Sequence, residues 1–122
     1  MNRRDYLKLA KVFLEEARRQ LDEYVKTGSE LALRQACEKG WGAVAQGLMA
    51  AAGKPIETHG EFGAVASELF KKTGDRNVLT GESAGEYLHS AGFYHGLPTV
   101  ELVSNSLDLI EAFLEALEAK AS

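Results

Sequence analysis

The sequence predicts an all-α protein, a bundle of about five helices in one domain spanning residues 1–122. Three observations point there. Apolar residues recur at three-four spacing near both ends of the chain, no segment sustains the period-two alternation of a strand, and glycine or proline punctuates between the periodic segments. At 122 residues, with 45% hydrophobic and 26% charged residues, the chain has the balance of an ordinary globular domain.

The first helix is expected from about Arg4 to Lys26. Leu7, Ala10, Leu14, Ala17, Leu21 and Tyr24 form one apolar seam, which Tyr6, Phe13 and Val25 widen. Thr27-Gly28 stops it. Ser29 is a natural N-cap for the second helix, about Glu30 to Ala52, with Leu33, Cys37, Gly40, Val44 and Gly47 or Leu48 inward. Each of its interior glycines, Gly40, Gly42 and Gly47, costs about 1 kcal/mol relative to alanine, so a close helix crossing beside Trp41 is expected to compensate.

Gly53-Lys54-Pro55 ends that helix, and Thr58 caps a third from about His59 to Lys72, with Phe62, Val65, Ala66, Leu69 and Phe70 facing in. Thr73 to Thr80 reads as a turn-rich loop. The fourth helix then starts at Ser83, whose spacing to Glu86 suits a capping box, and Gly96 ends it. The fifth runs from about Thr99 to Lys120 on a seam of Val100, Val103, Leu107, Ile110, Leu114 and Leu117.

Charge is unevenly spread. Arg3, Arg4, Lys8 and Lys11 make the first turns basic, and Asp108, Glu111, Glu115 and Glu118 make the last helix acidic, so the terminal helices are expected side by side, with a basic patch for a phosphate backbone as the alternative. A net charge of −4 disfavours a general nucleic-acid binder. Without an apolar run of membrane length or a signal-peptide core, a cytoplasmic protein that does not enter a membrane is the expectation. The single cysteine, Cys37, excludes an internal disulfide and reads as a small buried hydrophobe.

Polar chemistry concentrates between Ser83 and Gly96, with a second group on the second helix. If those helices pack together, Glu38, Lys39, Trp41, His89, Tyr94 and His95 converge on one cleft, whose aromatic wall, cation and imidazoles suit a nucleotide or small anion. His59 reads as a surface or capping residue. His89 and His95 are the candidate acid–base pair, although positions six apart on a regular helix point about 120° away from each other. No metal site is expected from His59, His89, His95 and Cys37, since no pair has ligand spacing on a helix turn. No cofactor is implied.

Two stretches carry a family likeness. Glu38-Lys39-Gly40-Trp41-Gly42-Ala43 resembles the "EK-x-W-x-A" stretch of archaeal PaREP-type proteins. His59 and the run Leu88-His89-Ser90-Ala91-Gly92-Phe93-Tyr94, similar to "LH-x-x-FY" with one extra residue, follow in the same order. That family looks like a branch of the HEPN superfamily (higher eukaryotes and prokaryotes nucleotide-binding). The resemblance implies an up-and-down bundle, commonly a homodimer, associated with nucleotides or RNA, and sometimes paired with a nucleotidyltransferase partner protein.

Many HEPN proteins are metal-independent ribonucleases that use an arginine followed, after four to six residues, by a histidine. No arginine here has that histidine; Arg76, for one, is followed by NVLTGES. A non-catalytic homodimer acting by protein contacts or by nucleotide or RNA binding is the expectation, with an unusual or degenerate ribonuclease built on His89 and His95 as the alternative. Leu102 and Leu109, outside the seam of the fifth helix, point to a second subunit covering them.

Overall fold

Side-chain caps fix where the helices begin, and left-handed glycines fix where three of them stop. A computed structural model describes residues 1–93 and 98–121. Asn2 accepts from the Asp5 amide at 2.9 Å, and Asp5 accepts from the Asn2 amide at 3.3 Å, a reciprocal box that opens α1, Arg3–Thr27. Ser29 accepts from the Ala32 amide and starts α2, Glu30–Ala52, and Thr58 does the same through Glu61 for α3, His59–Thr73. Gly28, Gly53 and Gly74 follow with φ of 73°, 72° and 68°, a conformation that costs glycine little. Thr99 accepts from the Leu102 amide and begins α5, Val100–Ala121.

The fourth helix corrects the sequence reading. It spans Arg76–Phe93 as α4, so Arg76 to Thr80 is helix rather than loop, and Ser83 lies inside it rather than at its cap. Asp75 takes the capping position, its carboxylate accepting from the Asn77 amide at 2.9 Å. The reason is packing. Val78 is fully buried and Gly81 lies against Phe113, so the first turns of α4 are held by the core, which outweighs the local preference of Ser83 for a cap. The expected stop at Gly96 lies outside the described residues.

Helix α2 is the central member, packed against each of the others. This explains its glycines. A Cβ at Gly40 would stand 2.6 Å from Leu88 of α4 and 3.0 Å from Leu107 of α5, and one at Gly47 would stand 2.8 Å from Phe113. Both positions mark the close crossing the sequence suggested.

Helices α1 and α5 bury their seams against this centre. Tyr6, Ala10, Leu14, Ala17 and Leu21 are buried on α1, and Val103, Leu107, Ile110, Leu114 and Leu117 on α5, joined there by Phe113. Val25, expected to widen the first seam, is 62% exposed. The two terminal helices run antiparallel, with Lys11 paired to Glu118 and Arg18 bridging Asp108 at 3.1 Å and Glu111 at 2.7 Å. Facing charges therefore account for that part of the uneven distribution. Helix α3 buries Phe62 and Ala66, packs Val65 and Leu69 partly against the core, and among the described helices contacts α2 and α4 alone. Among the described residues there is no strand, and no helix is long and apolar enough to cross a membrane.

Candidate functional site

A cluster of rings forms where α2, α3 and α4 meet. Trp41 enters from α2, over Gly85 of α4. An added Cβ at Gly85 would stand 2.7 Å from Val44 and 3.1 Å from the indole Cε3, so the missing side chain lets the indole lie close to the α4 backbone. His59, positioned at the start of α3 by the Thr58 cap, stacks on Trp41 with centroids 5.0 Å apart and planes 20° apart. Phe62, one turn further on α3, meets the indole edge-on at 5.1 Å. His89 reaches in from α4, 5.4 Å from Trp41 and 4.9 Å from His59. Offset and edge-to-face contacts of this kind add to burial because positive ring edges meet negative faces.

Two glutamates flank the rings. Glu86 lies three residues before His89 and so shares its side of α4. Its Oε1 is 2.8 Å from Nδ1 of His59, an exchange that joins α3 to α4 at the surface, with the His59 side chain 53% exposed. Glu82 sits one turn earlier. Burial, reinforced by repulsion from Glu86, raises its pKa above the ordinary carboxylate value, and the nearby His59 imidazole partly offsets this. Glu82 takes part in no hydrogen bond or ion pair among the described residues.

The structure brings together some of the residues singled out from sequence and separates others. Trp41 and His89 meet as expected. Lys39 turns the other way, its Nζ 5.3 Å above the Phe13 ring of α1, and Glu38 is exposed. Tyr94 and His95 lie outside the described residues, and the His89–His95 pairing lies there with them. In place of the expected cation the rings have Glu82, Glu86 and His59. The glutamates were legible as a helical stripe, Glu82, Glu86 and His89 at four- and three-residue intervals. Starting the helix at Ser83 hid Glu82 and gave Glu86 a capping role.

Nearby, Arg34 of α2 donates to the Gly92 carbonyl at 2.7 Å and ties α2 to the end of α4. Cys37 is fully buried, and burial pushes its thiol up to about 11, so it behaves as core. Among the described residues no group of three or more histidine, cysteine or acidic side chains is placed to hold a metal ion. The site offers flat ring faces, carboxylate acceptors and an imidazole with a carboxylate partner. It can stack a planar group and accept hydrogen bonds from it.

No curated protein and no solved structure matches the chain. A family match covers residues 5–114, which include the whole ring cluster and both flanking glutamates. By that match over most of its length, the chain belongs to the archaeal PaREP1/PaREP8 family.

Proposed function

We propose that this chain is a non-catalytic, HEPN-like helical bundle that works as a homodimer through protein contacts, with the Trp41–His59–His89 ledge and its glutamates as a contact site. The observation that carries this reading is the sign of the site. The cation expected to make the cleft suit a nucleotide, Lys39, is turned to Phe13, and carboxylates stand beside the rings instead. Phosphates approaching the ledge would meet Glu82 and Glu86, whereas a hydrogen-bond donor or cation would be welcomed. The five-helix architecture and the ordered likeness of the Trp41 and His89 stretches support the HEPN-like assignment. Leu102, 49% exposed, supports a second copy as its cover. Sedimentation of the parent chain and of Leu102→Glu tests the dimer: a dimer that the variant splits is expected, and a parent monomer would end that part of the proposal.

A second reading has one observation in its favour. His59 and His89 converge, and Glu86 occupies Nδ1 of His59, which leaves Nε2 as the nitrogen for proton exchange, in the manner of a carboxylate-oriented general base. A metal-independent ribonuclease would then use His59 beside His89, with His95 as the partner first suggested by sequence. Incubation with labelled single-stranded RNA decides between the readings. The contact reading expects intact RNA; cleavage by the parent chain that His59→Ala or His89→Ala abolishes would replace it with the catalytic one.

A further inference from the structure

We infer that the ledge formed by His59, Glu82 and Glu86 receives an arginine side chain presented by another protein. This rests on the contact reading above and names the group that would be recognised.

The geometry of the ledge matches a guanidinium in two ways. The inner face of His59 lies on Trp41, while more than half of its side chain is open to solvent, which gives a flat platform backed by a second ring. A guanidinium is planar and weakly hydrated, so it stacks on such a surface, which a compact, strongly hydrated ammonium does less well. Beside the platform, one turn before the Glu86 that bonds His59, Glu82 is a half-buried carboxylate with no hydrogen bond or ion pair among the described residues, held next to the like charge of Glu86. A forked donor can pair with both oxygens of one carboxylate while stacking on the ring.

Among the described residues, no basic side chain pairs with Glu82 or Glu86 apart from the His59 imidazole. The described lysines and arginines that have partners are engaged elsewhere: Lys11 with Glu118, Arg18 with Asp108 and Glu111, Arg19 with Glu16, Arg34 with the Gly92 carbonyl, Lys39 with Phe13 and Lys71 with Glu68. The described residues thus leave the electrostatic complement to a partner. The overall charge of −4 has the same sign as the ledge and would steer a basic partner towards it.

Trp41 is the single tryptophan of the chain and stacks directly on His59, so its fluorescence reports on the site. Three probes are titrated: a glycine–serine octapeptide with one central arginine, the same peptide with lysine, and guanosine. The arginine peptide is expected to bind about fivefold or more tightly than the lysine peptide, because only the guanidinium combines stacking with forked pairing. Binding should weaken in Glu82→Gln and as salt rises from about 0.05 to about 0.5 M. Equal binding of the two peptides would overturn the arginine assignment and leave the contact reading standing. Binding of guanosine with no response to either peptide would overturn both, and silence from all three probes would overturn the arginine assignment. Sedimentation of Glu82→Gln should match that of the parent chain; a loss of self-association would hand the ledge to a second copy and overturn the assignment to another protein.

Discussion

The imidazole Nδ1 of His59 and the carboxylate Oε1 of Glu86 sit 2.8 Å apart and join the first turn of α3 to the middle of α4. Because the same imidazole stacks on Trp41, one side chain links three helices. Helix α3 is otherwise held by Phe62 and Ala66, which are buried, and by Val65 and Leu69, which are partly buried against the core. The ring cluster is thus both the candidate site and the clasp on the most lightly packed helix.

Replacing His59 with alanine should loosen that clasp. The stacking and the partly exposed bond together are worth roughly 1–2 kcal/mol. Hydrogen exchange should quicken across residues 59–73 and stay slow in α1 and α2, because a weakly anchored helix opens before the core does. Uniform acceleration over the whole chain would show that α3 does not open separately.

Glu82→Gln should stabilise the protein at neutral pH. Its raised pKa means that, in the window just above the ordinary carboxylate value, the folded chain holds a proton the unfolded chain has released. Its contribution to stability is therefore present at low pH and lost as pH rises through the native value. Denaturant titrations of parent and variant should diverge at neutral pH and converge below about pH 4, under the ordinary carboxylate pKa. Destabilisation by the variant at neutral pH would contradict this account.

Gly85→Ala should cost about 1–3 kcal/mol, since the new methyl group would press on Val44 and the indole in a filled core. Trp41 emission should change with it. Gly63→Ala, on α3 with nothing within 4 Å of an added Cβ, should be neutral or stabilise by up to about 1 kcal/mol from helix propensity alone. Thermal melts of the two variants make the comparison.

Cys37 should resist thiol reagents in the folded protein. Burial removes access and pushes the thiol up to about 11, so almost no thiolate exists at neutral pH. Labelling should appear in step with unfolding in denaturant, and rapid labelling of the native chain would mean that α2 opens at Cys37.

Much of the fold was legible locally. Ser29, Thr58, Gly28 and Gly53 act through their own backbone or the next turn, so these helix ends need no tertiary contact to be read, and α2 was bounded correctly from Glu30 to Ala52. The seams of α1 and α5 were legible for a similar reason, because a helix with one apolar stripe has one way to bury it. The start of α4 was not. Ser83 and Asp75 are both plausible caps, and only the burial of Val78 and the contact of Gly81 with Phe113 select the second.

The sequence by itself therefore determined an all-α chain and where most of its helices begin and end, while the meeting of Trp41 and His89 hung on whether α2 and α4 pack together. Tertiary structure alone decided which face of α2 each neighbour takes. It sent Lys39 to Phe13, brought His59 onto Trp41 from a helix whose own pattern gave no reason for it, and set Glu82 and Glu86 beside the rings. The physical reason is that periodicity records which side of a helix is buried, while the partner of that side depends on how several helices share the same space.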